Sequence, residues 1–335
     1  MSTLQHTVLQ QMIFSGRGFN TNYLSQRCFH RNEGTTDYAT IPEVTLTGDF
    51  VIEFESIADT PSSNASLLGG SGPGVNHSKQ FTLFLNDVGA LSVKVPKDSS
   101  GSYYFSIPYV PSRYEKTIFK KEGDTITLTH GTESTSITKN DYASIRISNL
   151  YRWGNGLYLN GILANLKIWD NGTLIRDYPI NDGKNILANA ATALGSELDG
   201  LTYALTTAIG GVASVVLSSL SVIGKTYLVE VSYSGVVGDA SVRIGGFSGP
   251  SFTGTGSQSF VATAITTVND ILGALTGVTS GSVTVSLKEA DGYGTIINGN
   301  ADDWGLFDKQ ANGDWKGNGL AVPPWDSVDQ VLVAA

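Results

Sequence analysis

The sequence predicts an all-β fold of two antiparallel β-sandwich modules with irregular terminal segments. Three observations carry this expectation. Apolar residues recur with period two over short runs, as in Phe50, Ile52 and Phe54, or Tyr227, Val229 and Val231. That spacing turns one side of a strand toward a core. Turn signals separate such runs every ~8 to 12 residues, and the chain holds 39 glycines against 10 prolines to build those turns. No helix of ordinary length is visible in the first half.

Taken in order, residues 1–30 do not alternate cleanly. Val8, Leu9, Met12, Ile13 and Phe14 suit one helical turn or an irregular arm that packs on its own domain or docks on a partner. Residues 31–184 read as the first sandwich. Phe50, Ile52 and Phe54 face its core while Glu53 and Glu55 face water. Phe81, Leu83 and Leu85 form one side of a hairpin that turns at Asp87-Val88-Gly89 and returns through Leu91, Val93 and Val95. The segment closes on Asn160–Asp182. There Ile162, Ala164, Leu166 and Ile168 alternate up to Asp170-Asn171-Gly172, and Leu174, Arg176 and Tyr178 alternate after it. Period two on both sides of Asn-Gly is a strong hairpin signal, because both residues tolerate the positive φ of a type I′ turn.

Residues 185–224 are rich in Ala, Thr, Ser and Leu and nearly uncharged, and read as a linker with lead-in strands. Residues 225–290 read as the second sandwich, in which Tyr227, Val229, Val231 and Tyr233 share a side. Within it, Ile265–Gly277 suits an irregular strand better than a helix. Residues 291–335 form a segment rich in Trp, Gly and Asn.

Composition narrows function. A net charge of −9 over 335 residues argues against a phosphate-backbone partner, which needs basic clusters. A single cysteine, Cys28, leaves no intramolecular disulfide. The N-terminus has no charged start followed by a long apolar core, so no secretory signal is expected. No apolar run approaches the ~20 residues of a membrane span. Phosphate-loop and dinucleotide glycine patterns are absent.

Specific phrases then suggest a family. TDYATIPEVTLTGDFVIEFE, the FTLFLNDVGALSV hairpin and the closing GILANLKIWDNGTLIRDYPINDG resemble the concanavalin-like lectin/glucanase (laminin-G-like) jelly roll, most of all its version in structural proteins of tailed bacteriophages. The resemblance covers roughly residues 30 to 185. The block after Lys225 resembles the jelly roll of carbohydrate-binding modules, and WGLFDKQANGDW resembles C-terminal phrases of phage tail and capsid-associated proteins. The resemblance implies a non-enzymatic structural protein on a virion surface, as a capsid decoration or a tail or baseplate appendage. It implies other virion proteins and copies of itself as partners, and host glycans as ligands. A free-standing lectin is the alternative reading, followed by a glycoside hydrolase.

Candidate sites are few. Aromatic rings stack on the apolar faces of sugars while Asn, Asp and Arg bond the hydroxyls. On that chemistry Trp153 with Arg152, and Trp304 and Trp315 beside an Asn/Asp/Gly loop, are the glycan-binding candidates. Trp325 with the apolar end Val331, Leu332 and Val333 suits partner docking by strand addition. No cofactor is expected. Calcium is conceivable at loop oxygens of Asp37, Asp87, Asp170 and Asn171, or of Asn300, Asp302 and Asp303, although such residues also serve as turn formers. No catalytic residue is assigned. Glu53 and Glu55 lack the third acid that lectin-fold glucanases carry at matching spacing. The four histidines, His6, His30, His77 and His130, sit in no nucleophile frame.

Overall fold

The computed structural model describes residues 27–33, 38–58, 61, 63–70, 80–109, 115–153, 157–158, 160–180, 186–207, 211–218, 221–273, 277–297, 304–309, 315–317 and 331–332. No helix occurs among them. The chain divides into two compact units, one drawing on Met1–Asn185 and Ile296–Ala335, the other on Ile186–Thr295. The second unit is therefore an insertion within the first. It takes in residues 186–224 of the stretch expected to link two modules, and of the 291–335 stretch the part from Ile296 onward belongs to unit one.

Unit one holds β1 (Arg27–Glu33), β2 (Tyr38–Leu46), β3 (Phe50–Ala58), β4 (Ala65–Gly69), β5 (Thr82–Leu85), β6 (Ala90–Pro96), β7 (Ser102–Pro108), β8 (Glu115–Glu122), β9 (Thr125–His130), β10 (Glu133–Thr138), β11 (Ile145–Leu150), β12 (Arg152–Trp153), β13 (Leu157–Tyr158), β14 (Asn160–Asp170) and β15 (Thr173–Tyr178). Unit two holds β16 (Ile186–Leu187), β17 (Glu197–Asp199), β18 (Thr202–Ala204), β19 (Ala213–Val216), β20 (Thr226–Ile244), β21 (Phe247–Ser248), β22 (Phe252–Thr263), β23 (Asp270–Gly273) and β24 (Ser280–Glu289). β25 (Gly294–Ile297), whose residues fall on both sides of the boundary after Thr295, pairs with β16 through Ile186↔Thr295. The chain ends with β26 (Trp304–Lys309), β27 (Trp315–Gly317) and β28 (Val331–Leu332).

Unit one is a sandwich of two antiparallel sheets. The first runs β10-β9-β8-β3-β14-β1-β26-β27-β28, with β15 also on β14, and in the second the six strands from β2 to β11 run in the order β2-β11-β4-β5-β6-β7. Both terminal regions, expected to be irregular, thus contribute strands to the first sheet. Phe50, Ile52, Phe54, Phe119 and Ile168 from the first sheet and Leu67, Leu83, Leu85, Leu91, Val93 and Ile147 from the second are buried. Phe81 stacks on Phe119 across the layers at 5.4 Å. Each such side chain contributes about 1.5–3 kcal/mol by leaving water, so the two inward faces hold the sandwich.

The closing hairpin forms as its turn predicts. Asn171 and Gly172 have φ of 46° and 80°, and Asp170 pairs with Thr173. Its alternation is less strict than the sequence suggests. Register slips between Ala164 and Lys167, where Asn165 has φ 51°. This bulge reverses the parity of the strand, so Leu163, expected to face outward, is buried along with Leu166 and Ile168.

Unit two is organised by β20, which pairs with β22 and β24 along its first half and with β23 along its second. The strand bends at Gly235 and Gly238, with φ of 60° and 90°. At Gly238 a side chain would also overlap the Gly277 carbonyl, so only glycine fits the bend. Tyr227, Val229, Val231, Val242, Ile271, Val283 and Val285 fill this core. Ile265–Gly277 contains strand β23 and no helix among its described residues.

Candidate functional site

The β5–β6 hairpin turns at Asn86, whose Oδ1 accepts hydrogen bonds from the Val88 and Ala90 amides at 3.2 and 2.8 Å. Its odd-numbered residues point into the core. Thr82, Phe84, Ser92 and Lys94 therefore point outward, where ordinary strand logic expects water. They are not solvated: Thr82, Ser92 and Lys94 are buried, and Phe84 is half-buried. Ser66 on β4, opposite Phe84, is buried as well.

Strand register assembles these residues into a row. Thr40 pairs with Asn149, Asn149 with Gly69, Gly69 with Thr82, Thr82 with Lys94, and Lys94 with Tyr104. One residue from each of these six strands lies on the side away from the core. Five inter-strand steps make the row about 24 Å long, long enough for an oligosaccharide instead of a single ring. A parallel row holds Ser66, Phe84, Ser92 and Ser106. The register slip near Ile147 brings Ser148 onto this side next to Asn149, while Ile147 and Leu150 stay in the core.

The middle of the face is polar, buried and incompletely satisfied. The Ser66 and Thr82 hydroxyls lie 3.2 Å apart, and both donate to the Leu68 carbonyl at 3.2 Å. The Asn86 side-chain amide donates to Ser92 Oγ at 3.2 Å. Gln80 Oε1 and Ser148 Oγ are buried, yet neither finds a hydrogen-bond partner among the described residues. A buried polar atom left unpaired costs roughly 1–3 kcal/mol, so each is an acceptor or hydroxyl awaiting a partner. Lys94 is only 5% exposed, and loss of hydration holds its ammonium below the usual lysine pKa of 10.5. Tyr104 beside it is 63% exposed, with its ring centroid 6.0 Å from Lys94 Nζ.

Arg152 lies at the other end of this sheet. Its guanidinium sits 4.3 Å from the ring centroid of Tyr38, two residues before Thr40 on β2. Tyr151 directs the ribbon that carries Arg152. It is buried at φ 63°, and its hydroxyl accepts from the Leu163 amide at 2.9 Å and donates to the Leu163 carbonyl at 3.1 Å. Arg152 and Trp153 then pair with Tyr158 and Leu157.

The other expected site residues are dispersed. Trp304 pairs with His30 through the backbone, and Trp315 pairs with Lys309 and Leu332; the side chains of Trp153, Trp304 and Trp315 lie outside the described residues. Val331 and Leu332, considered for docking on a partner, form β28 and pair with β27 of their own sheet. Trp325 and Val333 lie outside the described residues, as do Asp37, Asn300, Asp302 and Asp303. Asp87 is exposed in a turn, and Asp170 accepts from Asn171. No cluster of three metal-ligating His, Cys, Asp or Glu side chains occurs among the described residues.

Glu53 pairs with Lys116 at 2.7 Å and Glu55 accepts from Asn165, so the two strand carboxylates are engaged separately. His130 is buried with Nε2 2.9 Å from Glu115 and Nδ1 2.9 Å from Thr117 Oγ1, and Tyr109 stacks on its ring. It is a packed core group, not a turn residue open to a substrate.

No protein-family model matches the chain, and no curated protein matches it. Similar solved structures include the CBM40 module of the Ruminococcus gnavus IT-sialidase bound to α2,3 sialyllactose, at 14% identity and TM-score 0.35, covering 44% of this chain and 92% of that one. They include mouse laminin α1 domains LG4-5, at 12% identity and TM-score 0.34, covering 92% of this chain and 94% of that one. A SAP-like pentraxin of Limulus polyphemus follows at 9% identity and TM-score 0.31, covering 43% of this chain and 76% of that one. At such values the sandwich assignment rests on strand pairing and burial in this chain.

The outward face is silent in the sequence because Thr82, Ser92 and Lys94 look like water-facing strand positions. The available signal was that three of the four outward positions in β5–β6 carry hydroxyls or an aromatic, and one carries an isolated lysine.

Proposed function

We propose that this chain is a non-enzymatic glycan-binding protein of a virion surface, and that the outward face of the second sheet in unit one is its binding face. The observation that carries the glycan reading is the polar row from Thr40 to Tyr104, with Gln80 Oε1 and Ser148 Oγ lacking a hydrogen-bond partner among the described residues. Hydroxyls, amides and an exposed aromatic ring arranged along one sheet suit a sugar chain, which offers many hydroxyls and apolar ring faces. The virion setting is supported by the resemblance of the closing Asn160–Asp182 hairpin to phage structural proteins.

A glycan array with the full chain tests the first part. The expected result is binding that weakens in Asn149→Ala and Tyr104→Ala; an array without binders removes the glycan reading. Mass spectrometry of purified particles tests the second, and absence of the chain from them removes the virion reading. A free-standing lectin would bind the array and be missing from particles.

A further inference from the structure

The sheets of unit one differ at their edges. The second sheet ends on β7, which closes on Pro108, and the first ends at one side on β28, which is two residues long. A proline and a short edge both discourage pairing with another chain. The other end of the first sheet is β10, six residues long with neither protection. It pairs with β9 without a register slip, and its inner side carries half-buried Thr135 and Ile137 between the ends, not a charge. Lys139, next after β10, donates its amide to the Asp124 carbonyl of the β8–β9 turn at 2.9 Å. Bonded and non-bonded positions alternate along an antiparallel pair. Thr135, Ile137 and Lys139 therefore bond toward β9, while Ser134, Ser136 and Thr138 turn their amides and carbonyls away from it. No described strand lies beyond them.

We infer that β10 is an interface between two copies of this chain, paired antiparallel about Ser136 so that Glu133 of each copy faces Lys139 of the other. Parity admits only registers that set outward-bonding residues against one another, and charge chooses among these. With Ser136 opposite its own counterpart, Ser134 faces Thr138, Thr135 faces Ile137 and Glu133 faces Lys139. A slide of two residues either way puts Glu133 opposite Ile137 or Asp141 instead. Glu133 and Lys139 are exposed, and neither forms an ion pair among the described residues; Lys139 Nζ lies 5.8 Å from the Tyr103 ring centroid. Opposite charges directly across a strand pair stabilise it. The pairing covers Thr135 and Ile137 with each other. It also continues the hydroxyl pairs Thr125–Thr138, Thr127–Ser136 and Thr129–Ser134 into the second copy, where Ser136 meets Ser136 and Ser134 meets Thr138. The inference is independent of the glycan reading.

The test is sedimentation equilibrium of the full chain over the micromolar range. The expected result is a reversible monomer–dimer equilibrium that weakens with added salt. Glu133→Lys alone, or Lys139→Glu alone, should weaken the dimer about tenfold. An equimolar mixture of the two single variants should recover it, because the reversed charge on one copy then meets the opposite reversal on the other. Ser136→Pro removes an outward amide and no bond to β9. It should abolish the dimer while circular dichroism shows the fold intact. A chain that stays monomeric at every concentration overturns the inference. So does a dimer that ignores the single reversals, or a mixture that stays as weak as its components. Both reversed positions are exposed, so the charge test decides even where Ser136→Pro fails to fold.

Discussion

Unit one turns two faces outward, and they are built on opposite principles. On the first sheet the outward residues are paired and open to water. Glu53 meets Lys116, Lys120 meets Glu122, and the β9–β10 hairpin aligns Thr125 with Thr138, Thr127 with Ser136 and Thr129 with Ser134, hydroxyl to hydroxyl at 2.9–3.1 Å. The hydroxyl pairs and Glu53–Lys116 bridge neighbouring strands, and Lys120–Glu122 lies along β8. On the second sheet Ser66, Thr82, Ser92, Lys94, Ser148 and Asn149 are equally polar but buried, and Gln80 and Ser148 each keep an atom with no hydrogen-bond partner among the described residues. Polarity alone does not mark a site. Polarity combined with burial and missing partners does, because folding has spent free energy there that only a ligand returns.

The sharpest way to break this contrast is to place a charge on each face. Ser148→Asp puts a carboxylate at a buried outward position away from Lys94 and is expected to destabilise unit one by about 3–5 kcal/mol. Thr127→Asp on the exposed hairpin should change stability by no more than about 0.5 kcal/mol. Urea unfolding of both variants measures the difference, and equal effects would mean the second face is open to water after all.

A second effect shows in pH. The folded-state pKa of Lys94 is lowered by desolvation, so the unfolded chain binds more protons over the interval between that value and 10.5. Stability therefore rises with pH through that interval, and the penalty for the buried charge is fully present below it. Lys94→Met should raise stability at neutral pH and flatten this alkaline rise. A variant that keeps the wild-type slope would assign the slope to another group.

Smaller still is the loss of single hydroxyls. Ser66→Ala removes a buried donor to Leu68 and a neighbour of Thr82, at a cost of about 1 kcal/mol. Last, Lys116→Gln breaks a partly exposed ion pair with Glu53 and should cost about 0–1 kcal/mol. Thermal melts rank the two, and the reverse order would contradict the assignment of which face is recessed.

Much of the fold was legible in the residues. Alternation located β3, β5, β6 and β20, and Asn171-Gly172 located the closing turn. Two things were not legible for physical reasons. Asn165 hides a bulge, because period two cannot show where one residue is added to a strand. The return of β26–β28 to the first sheet joins residues nearly three hundred positions apart, from Arg27 to Phe307, and no local pattern reports such a pairing. Of the expected site residues, Arg152 lies at the end of the proposed face. The rest of the face was missed because Thr82 and Lys94 differ from solvated strand residues only by what surrounds them.

Glycan binding on the outward face of the second sheet is the central proposal. Backbone amide NMR of the full chain during titration with the best array ligand tests it directly. The expected shifts fall on Thr82, Ser92, Lys94, Tyr104 and Asn149, with Glu53, Thr127 and Ser136 unmoved. Shifts confined to the β9–β10 hairpin, or to unit two, would contradict it.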